Sequence, residues 1–180
     1  MEMEIDTVRG ANENWISGKN LIDVVTTLAL GLGKTMTAPR ERAADEEAIR
    51  RVSESFFGAL SQEFADLRLI ANGELRPVAL RGNSLLASPT IIRALAGAYY
   101  DVAVDSATGS PVVSPSGDRR MRKLFSDLSP RMGLPVDDGW FATGLFDGRT
   151  SQAPGSRTQD IKELAAILRE RALTAGALQI

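Results

Sequence analysis

Apolar residues recur every three or four positions along most of this chain, the spacing that places them on one face of an α-helix. The longest such segment runs from Arg40 to Leu69, and charges of opposite sign at i,i+4 spacing occupy its polar positions. Its predicted buried residues are Ile49, Val52, Phe56, Leu60, Phe64 and Leu67. We therefore predict that this segment is the longest helix of the protein.

Turn-forming and capping residues divide the neighbouring chain into shorter helices. Asn20 is a candidate N-cap for a helix from Leu21 to about Leu30, with Leu21, Val24, Val25 and Leu28 on one face. The Asn72-Gly73 turn precedes a short bridging helix from Arg76-Pro77 to Arg81. Ser88-Pro89-Thr90 favours the start of a helix that runs to about Val104. The apolar positions of that helix are Ile91, Ile92, Leu95, Ala96 and Tyr99.

A tract rich in Ser, Gly and Pro at about 105–117 is incompatible with a helix. It is either a flexible loop or a short hairpin about Val112-Val113. Gly117-Asp118 then starts a helix that ends at Ser129-Pro130. Its predicted inward residues are Met121, Leu124, Phe125 and Leu128.

A capping box of Ser156 and Gln159 predicts the start of the last helix. The predicted buried stripe of this helix is Ile161, Leu164, Ala165 and Leu168. Neither an internal repeat nor a ladder of strands is evident. The pattern predicts a single mostly α-helical domain over residues 1–180, with five to seven helices and the loop at about 105–117.

Composition narrows the possible chemistry. The chain has 180 residues, a net charge of −2 and neither cysteine nor histidine, which excludes disulfides, thiolate nucleophiles, imidazole bases and the usual zinc sites. Its acidic balance gives no overall attraction to nucleic acid, so DNA binding would need a local patch. No apolar run approaches the ~18 residues of a membrane span, and the segment Met1–Glu4 is acidic. We expect a cytoplasmic protein without a membrane partner.

Positive charge is densest where five basic residues follow the predicted loop. They are Arg119, Arg120, Arg122, Lys123 and, further on, Arg131. On the outer face of a helix they could contact the backbone phosphates of DNA, because each guanidinium offers a forked set of donors. The alternative is a solvated helix face, which is the common role of a charge run.

Two other patterns suggest chemistry and then fail its requirements. Gly33-Lys34-Thr35 resembles the end of a phosphate-binding loop, but Leu28 stands where that loop needs glycine and a helix precedes it. A helix C-cap glycine followed by a loop explains the segment better. The acidic runs 45–47 and 137–138 lack a partner nucleophile and a metal-ligand spacing, so we interpret them as a solvated helix start and a turn. We expect neither a cofactor nor a metal, and no enzyme activity.

Large aromatic residues are the candidates for a partner-binding surface. They are Trp15, Trp140, Phe141 and Phe146. If they cluster without a cover they form an interface; otherwise they are core residues. The interface interpretation predicts a homodimer or a complex with another protein.

A series of short motifs between Phe64 and Gly97 carries a family resemblance. The motif residues are Phe64, Leu67, Gly73-Glu74-Leu75, Ala79-Leu80-Arg81 and Ala94-Leu95-Ala96-Gly97. Their order resembles the C-terminal half of the DGQHR-domain proteins, the DndB-like family of DNA sulfur modification. Asn12–Leu32 and Trp140–Ile167 are similar to other parts of that half. The family's signature itself is absent, because the chain has no histidine.

The resemblance implies a bacterial or phage protein associated with phosphorothioation-type DNA modification. Such a protein would bind DNA or regulate transcription of the modification genes, and this part of it would not be catalytic. The alternative is a helical protein-interaction or structural domain, one half of a split protein, with no role on nucleic acid. A third possibility is a nucleotide-dependent enzyme that uses Gly33–Thr35, against which Leu28 argues.

Overall fold

The computed structural model describes residues 15–37, 45–107, 109–149, 151, 153–154 and 157–175. These residues form seven α-helices, namely α1 (Gly18–Leu30), α2 (Glu46–Glu63), α3 (Ala65–Ala71), α4 (Pro89–Ala103), α5 (Pro115–Leu128), α6 (Asp138–Phe141) and α7 (Thr158–Ala175). Three 3-10 segments lie at Pro77–Leu80, Leu85–Ala87 and Ser129–Arg131, and two short strands are β1 (Val104–Asp105) and β2 (Val112–Val113). The predicted mostly α-helical fold is confirmed. None of the described helices has both the length and the apolar character that crossing a bilayer requires.

Helix α4 lies at the centre of the fold, where it packs against α1, α5 and α7. Its buried residues are Ile91, Ile92, Ala94, Leu95, Ala96, Gly97, Ala98, Tyr99 and Ala103, so it is buried on nearly every side. All five positions predicted from the apolar spacing are among them. The alanines and Gly97 on the remaining sides let neighbouring elements approach closely, because they carry little or no side chain.

The predicted helix from Arg40 to Leu69 is in fact two helices. Residues 40–44 lie outside the described residues, and α2 begins at Glu46 with the Asp45 side chain as its N-cap. The helix is interrupted at Phe64, whose backbone is extended (φ −86°, ψ 117°), and α3 then begins at Ala65. The freed amide of Ala65 donates to the Ser129 hydroxyl at 3.0 Å. Phe64 is itself fully buried, so the apolar spacing continues across the break. The spacing alone therefore does not reveal that the helix is interrupted.

One predicted helix start also needs correction, and another lies partly outside the described residues. Ser17, and not Asn20, is the N-cap of α1, because the Ser17 hydroxyl accepts the Asn20 amide at 3.3 Å. Leu21, which was predicted to lie on the buried face of α1, is exposed. The predicted cap Ser156 lies outside the described residues, but all four predicted inward residues of α7 are buried.

The tract at 105–117 contains the hairpin that was one of its two interpretations, but its last three residues, predicted to be non-helical, begin α5. Val104 pairs with Val113 and Asp105 with Val112 in antiparallel register. Helix α5 starts at Pro115, earlier than predicted, because the Ser114 hydroxyl accepts the Gly117 amide at 3.4 Å. The four predicted inward residues of α5 are buried, and α5 ends at Leu128 as expected.

Gly117 is the position where α5 touches the backbone of α4. A Cβ on Gly117 would overlap the Val102 carbonyl oxygen and lie 2.6 Å from the Ala103 Cα. Backbone atoms cannot move aside as a flexible side chain can, so we expect Gly117→Ala to lower the free energy of unfolding by about 2 kcal/mol or more. Chemical denaturation of the purified variant measures this change.

Gly58, in the interior of α2, is the matched control because a Cβ there meets no atom within 4 Å. Alanine is a better helix former than glycine, so Gly58→Ala should raise the free energy of unfolding by about 0.5–1 kcal/mol. Equal effects of the two substitutions would contradict the close approach of α4 and α5.

Candidate functional site

The basic run of α5 is divided by the structure into outward and inward members. Arg119, Arg120 and Lys123 are exposed. Neither Arg119 nor Arg120 forms an ion pair with a described residue, whereas Lys123 lies 3.3 Å from Asp127. That pair is about half exposed on both sides, so it contributes little and leaves the ammonium accessible. We call Arg119, Arg120 and Lys123 the α5 basic face.

Arg122 does not belong to this face, which corrects its predicted role in DNA binding. Its Nε donates to Asp118 Oδ2 at 2.7 Å and its Nη1 to Gln62 Oε1 at 2.6 Å. The Glu63 carboxylate lies 3.6 Å away. The hydrogen bond with Asp118 raises the pKa of Arg122. Its guanidinium therefore ties α5 to the end of α2.

Arg131, which was also predicted to contact DNA, is likewise paired within the fold. It donates to both carboxylate oxygens of Asp137, at 2.6 and 2.9 Å, and this forked pair is the strong geometry for the two groups. Asp137 in turn accepts the Trp140 amide at 2.9 Å as the N-cap of α6. The Arg131 carbonyl accepts the Trp140 indole N–H at 2.8 Å. Arg131 and Asp137 thus fix the entry into α6 and the position of its tryptophan.

The four large aromatic residues do not form one surface, so the predicted partner-binding cluster is wrong. Trp140 and Phe146 are 1% and 5% exposed and contact each other edge to face in the core. Phe141 is 41% exposed, and the Arg149 guanidinium lies 5.1 Å from its ring centre. Trp15 is half-buried and donates its indole N–H to the Leu86 carbonyl at 2.9 Å.

A groove beside Trp15 is the apolar surface that the sequence analysis missed. It encloses about 460 Å³ between α2 and α3, and its walls include Trp15, Phe57, Leu67 and Ile70. The apolar spacing assigns Leu67 to the core, but it does not show that the break at Phe64 opens a groove next to it. Only Trp15 of the predicted aromatic set contributes to this surface.

A polar cluster inside the core was also missed. Tyr99 is fully buried and donates its hydroxyl to Asp118 Oδ1 at 2.6 Å, and Ser55 lies 2.9 Å from the same hydroxyl. Burial first, and then the hydrogen bond to Asp118, raises the pKa of Tyr99, so the phenol keeps its proton and acts as a donor. Because Asp118 is already bound to Tyr99 and Arg122, the cluster is suited to joining α2, α4 and α5, not to activating Ser55. A tyrosine within the apolar stripe of α4 is the sequence signal for it.

The remaining predicted features have structural roles. Asp45 accepts the Ala48 amide at 3.0 Å, and this hydrogen bond lowers the pKa of Asp45, so the acidic run 45–47 is a helix start as interpreted. Among the described residues no acidic side chains come together in a group of three as a metal site requires. Gly31 has a positive φ of 89° and caps α1, which confirms the C-cap interpretation of the glycine-rich segment.

Comparison with known proteins gives no relative for this arrangement: no family model, no curated protein and no solved structure matches the chain.

The assignment of Arg131 to Asp137 can be tested by titration. The paired guanidinium and the Trp140 amide lower the pKa of Asp137 from 3.8 to about 2. In Arg131→Gln we expect this pKa to rise toward its ordinary value, which NMR titration of the carboxylate measures. Arg119→Gln is the control and should leave it unchanged.

The same pair should affect acid stability. Since the folded-state pKa of Asp137 is depressed, its contribution is complete above pH about 4 and is lost as the pH falls toward 2. Both side chains are more than a third exposed, so the contribution is at most about 1 kcal/mol. If the pKa of Asp137 in the intact protein has its ordinary value, the ion pair is absent. Arg131 would then be free to bind a ligand.

Proposed function

We propose that this chain is a non-catalytic DNA-binding domain associated with a DNA modification system of the phosphorothioation type, as its resemblance to the DGQHR-domain proteins implies. The observation that carries the proposal is the α5 basic face. Its three cations lie on one exposed helix surface, while the opposite surface of α5 is anchored in the core. Arg119 and Lys123 are one helical turn apart and so lie on the same side.

The charges around this face favour contact with phosphates in spite of the acidic chain. Of the two acidic residues on α5, Asp118 is neutralised by Arg122 and Asp127 lies against Lys123. The two arginines therefore remain as the exposed excess of positive charge. Forked guanidinium donors suit phosphate oxygens, and contacts of this kind position a protein on DNA without reading its sequence.

The proposal also specifies a binding role without catalysis. The Ser55 hydroxyl has Tyr99 and Asp118 as its neighbours, and both already share a strong hydrogen bond. This arrangement supports a structural function for the hydroxyl cluster of Ser55 and Tyr99 beside α5. The expected affinity is modest and depends strongly on salt, because few phosphates are contacted.

Salt dependence of DNA binding tests the α5 basic face. We expect the double variant Arg119→Gln/Arg120→Gln to bind duplex DNA more weakly and to reduce the slope of log affinity against log salt by about 1.8, at about 0.9 per phosphate contact. Fluorescence anisotropy at several salt concentrations measures the slope. The control is Lys19→Gln/Arg76→Gln, which removes two exposed cations from other elements. Equal slopes for the two double variants would refute the proposed face.

Protein association is a second candidate function, favoured by the apolar groove between α2 and α3. Trp15 and Phe57 stand in its walls and are only half-buried. Covering such a surface removes apolar area from water at about 25 cal/mol per Å². We propose that a second copy of the chain covers this groove, in keeping with the predicted homodimer.

Neighbouring residues of α3 provide a matched pair for this second function. Ile70 lines the groove, whereas Leu69 is 37% exposed and does not. We expect the intact protein to dimerise with rising concentration in sedimentation velocity, and Ile70→Asp to remain monomeric while Leu69→Asp still dimerises. A monomer at every concentration, or dimers of both variants, would reject the groove as a dimer interface.

A further inference from the structure

A polar cleft lies where α1, the loop after it, the central helix α4 and the start of α7 meet. It encloses about 430 Å³, within the usual range for small-ligand sites. Helix α1 contributes Asp23 and Thr26, the loop after α1 contributes Lys34, α4 contributes Arg93, and Thr158 comes from the start of α7. Its walls are therefore built by four separate segments of the chain.

Arg93 is the residue that marks this cleft as a binding site. Its side chain is 28% exposed, yet its Nε is buried and has no hydrogen-bond partner among the described residues. The nearest carboxylate oxygen, of Asp23, lies 4.0 Å from Nη1, which is the outer limit of an ion pair. A buried guanidinium donor without an acceptor is costly, and native proteins rarely leave one unsatisfied. The exposed part of the guanidinium, and not the buried Nε itself, is what an anionic ligand in the cleft would meet.

Two lysines add positive charge to the same cleft. Lys34 lines it and is exposed. Lys162 reaches from α7 across Gly33, so closely that a Cβ on Gly33 would lie 2.9 Å from its Nζ. Gly33 has a positive φ of 78°, so glycine suits this position for two reasons. Two cations, Arg93 and Lys34, thus line the cleft with one carboxylate, that of Asp23, and Lys162 lies beside its Gly33 wall.

We propose that this cleft binds a small phosphate-bearing anion, with Arg93 as the forked donor and Lys34 as the mobile point charge. Phosphate offers the several strong acceptor oxygens that a guanidinium and an ammonium can share. Thr158 opens α7, a helix of 18 residues whose first N–H groups favour negative charge at this end. Binding relies on side chains from several elements, so it does not require the glycine pattern that Leu28 breaks.

The cleft is separate from the α5 basic face. Arg93 lies in the first turns of α4, whereas α5 packs through Gly117 against Val102 and Ala103 at the other end of that helix. Ten residues of α-helix separate the two ends by about 15 Å. The inference therefore goes beyond the proposed DNA binding, and each can fail alone.

Calorimetry of the full chain with inorganic pyrophosphate at low salt tests the proposal. We expect saturable binding that is weakened by roughly tenfold or more in Lys34→Gln and in Arg93→Gln, because each loses a hydrogen bond between charged groups. Lys19→Gln, an exposed lysine of α1 outside the cleft, should bind as the intact protein does. If Arg93→Gln fails to fold, Lys34→Gln still decides, because Lys34 is exposed. No binding by the intact protein, or equal binding by Lys34→Gln and Lys19→Gln, would overturn the proposal.

Competition identifies where the phosphate comes from. If duplex DNA displaces pyrophosphate, the backbone of DNA is a source of the ligand; if it does not, the ligand is a small phosphate compound. Pyrophosphate binding should persist in Arg119→Gln/Arg120→Gln. Its loss in that variant would place the anion on α5 and reject the cleft.

Discussion

The fold depends on the nearly complete burial of α4. A helix surrounded by α1, α5 and α7 needs apolar residues on all its sides, and it needs small ones wherever another element comes close. Ala94, Ala96, Ala98 and Gly97 meet that need. A Cβ at Gly97 would lie 2.6 Å from Leu32 Cγ and 3.3 Å from the Ala165 Cβ, so the loop after α1 and helix α7 both depend on this position. The cleft formed by these elements exists because they converge on α4.

The one hydroxyl buried with α4 has consequences that reach the surface. Tyr99 needs an acceptor, and Asp118 of α5 provides it; Asp118 then needs a cation, and Arg122 provides that. The burial of Tyr99 therefore engages Arg122 through Asp118, so Arg122 is not one of the exposed cations of the basic run. Arg131 is also engaged within the fold, because it pairs with Asp137, the N-cap residue of α6. Buried polar groups are satisfied before surface charges become available to a partner.

The positions of the helices could be predicted because local rules decide them. Apolar spacing identified the buried faces of α4, α5 and α7, and Pro89 marked the start of α4. Some errors were local, as at the N-caps Ser17 and Ser114, and others came from contacts outside the helix concerned. Phe64 interrupts a helix because Ser129 accepts the next amide, and Trp140 is buried because Arg131 and Asp137 fix it there. No window of neighbouring residues contains both Ala65 and Ser129, since a hydrogen bond across 64 positions leaves no periodic trace. Arg131, Asp137 and Trp140 are close in sequence, but their pairing does not follow the apolar spacing either.

Charge density along the sequence does not show which cations the fold engages. In α5 the density is high, yet intramolecular carboxylates engage Arg122 at 2.7 Å and Lys123 at 3.3 Å. Arg93 stands alone in an apolar stretch, with its only described carboxylate 4.0 Å away and its Nε unsatisfied. A cation is available to a ligand to the extent that the fold leaves its donors unmet. By that measure, Arg119, Arg120 and the exposed part of the Arg93 guanidinium are among the cations that the fold leaves available.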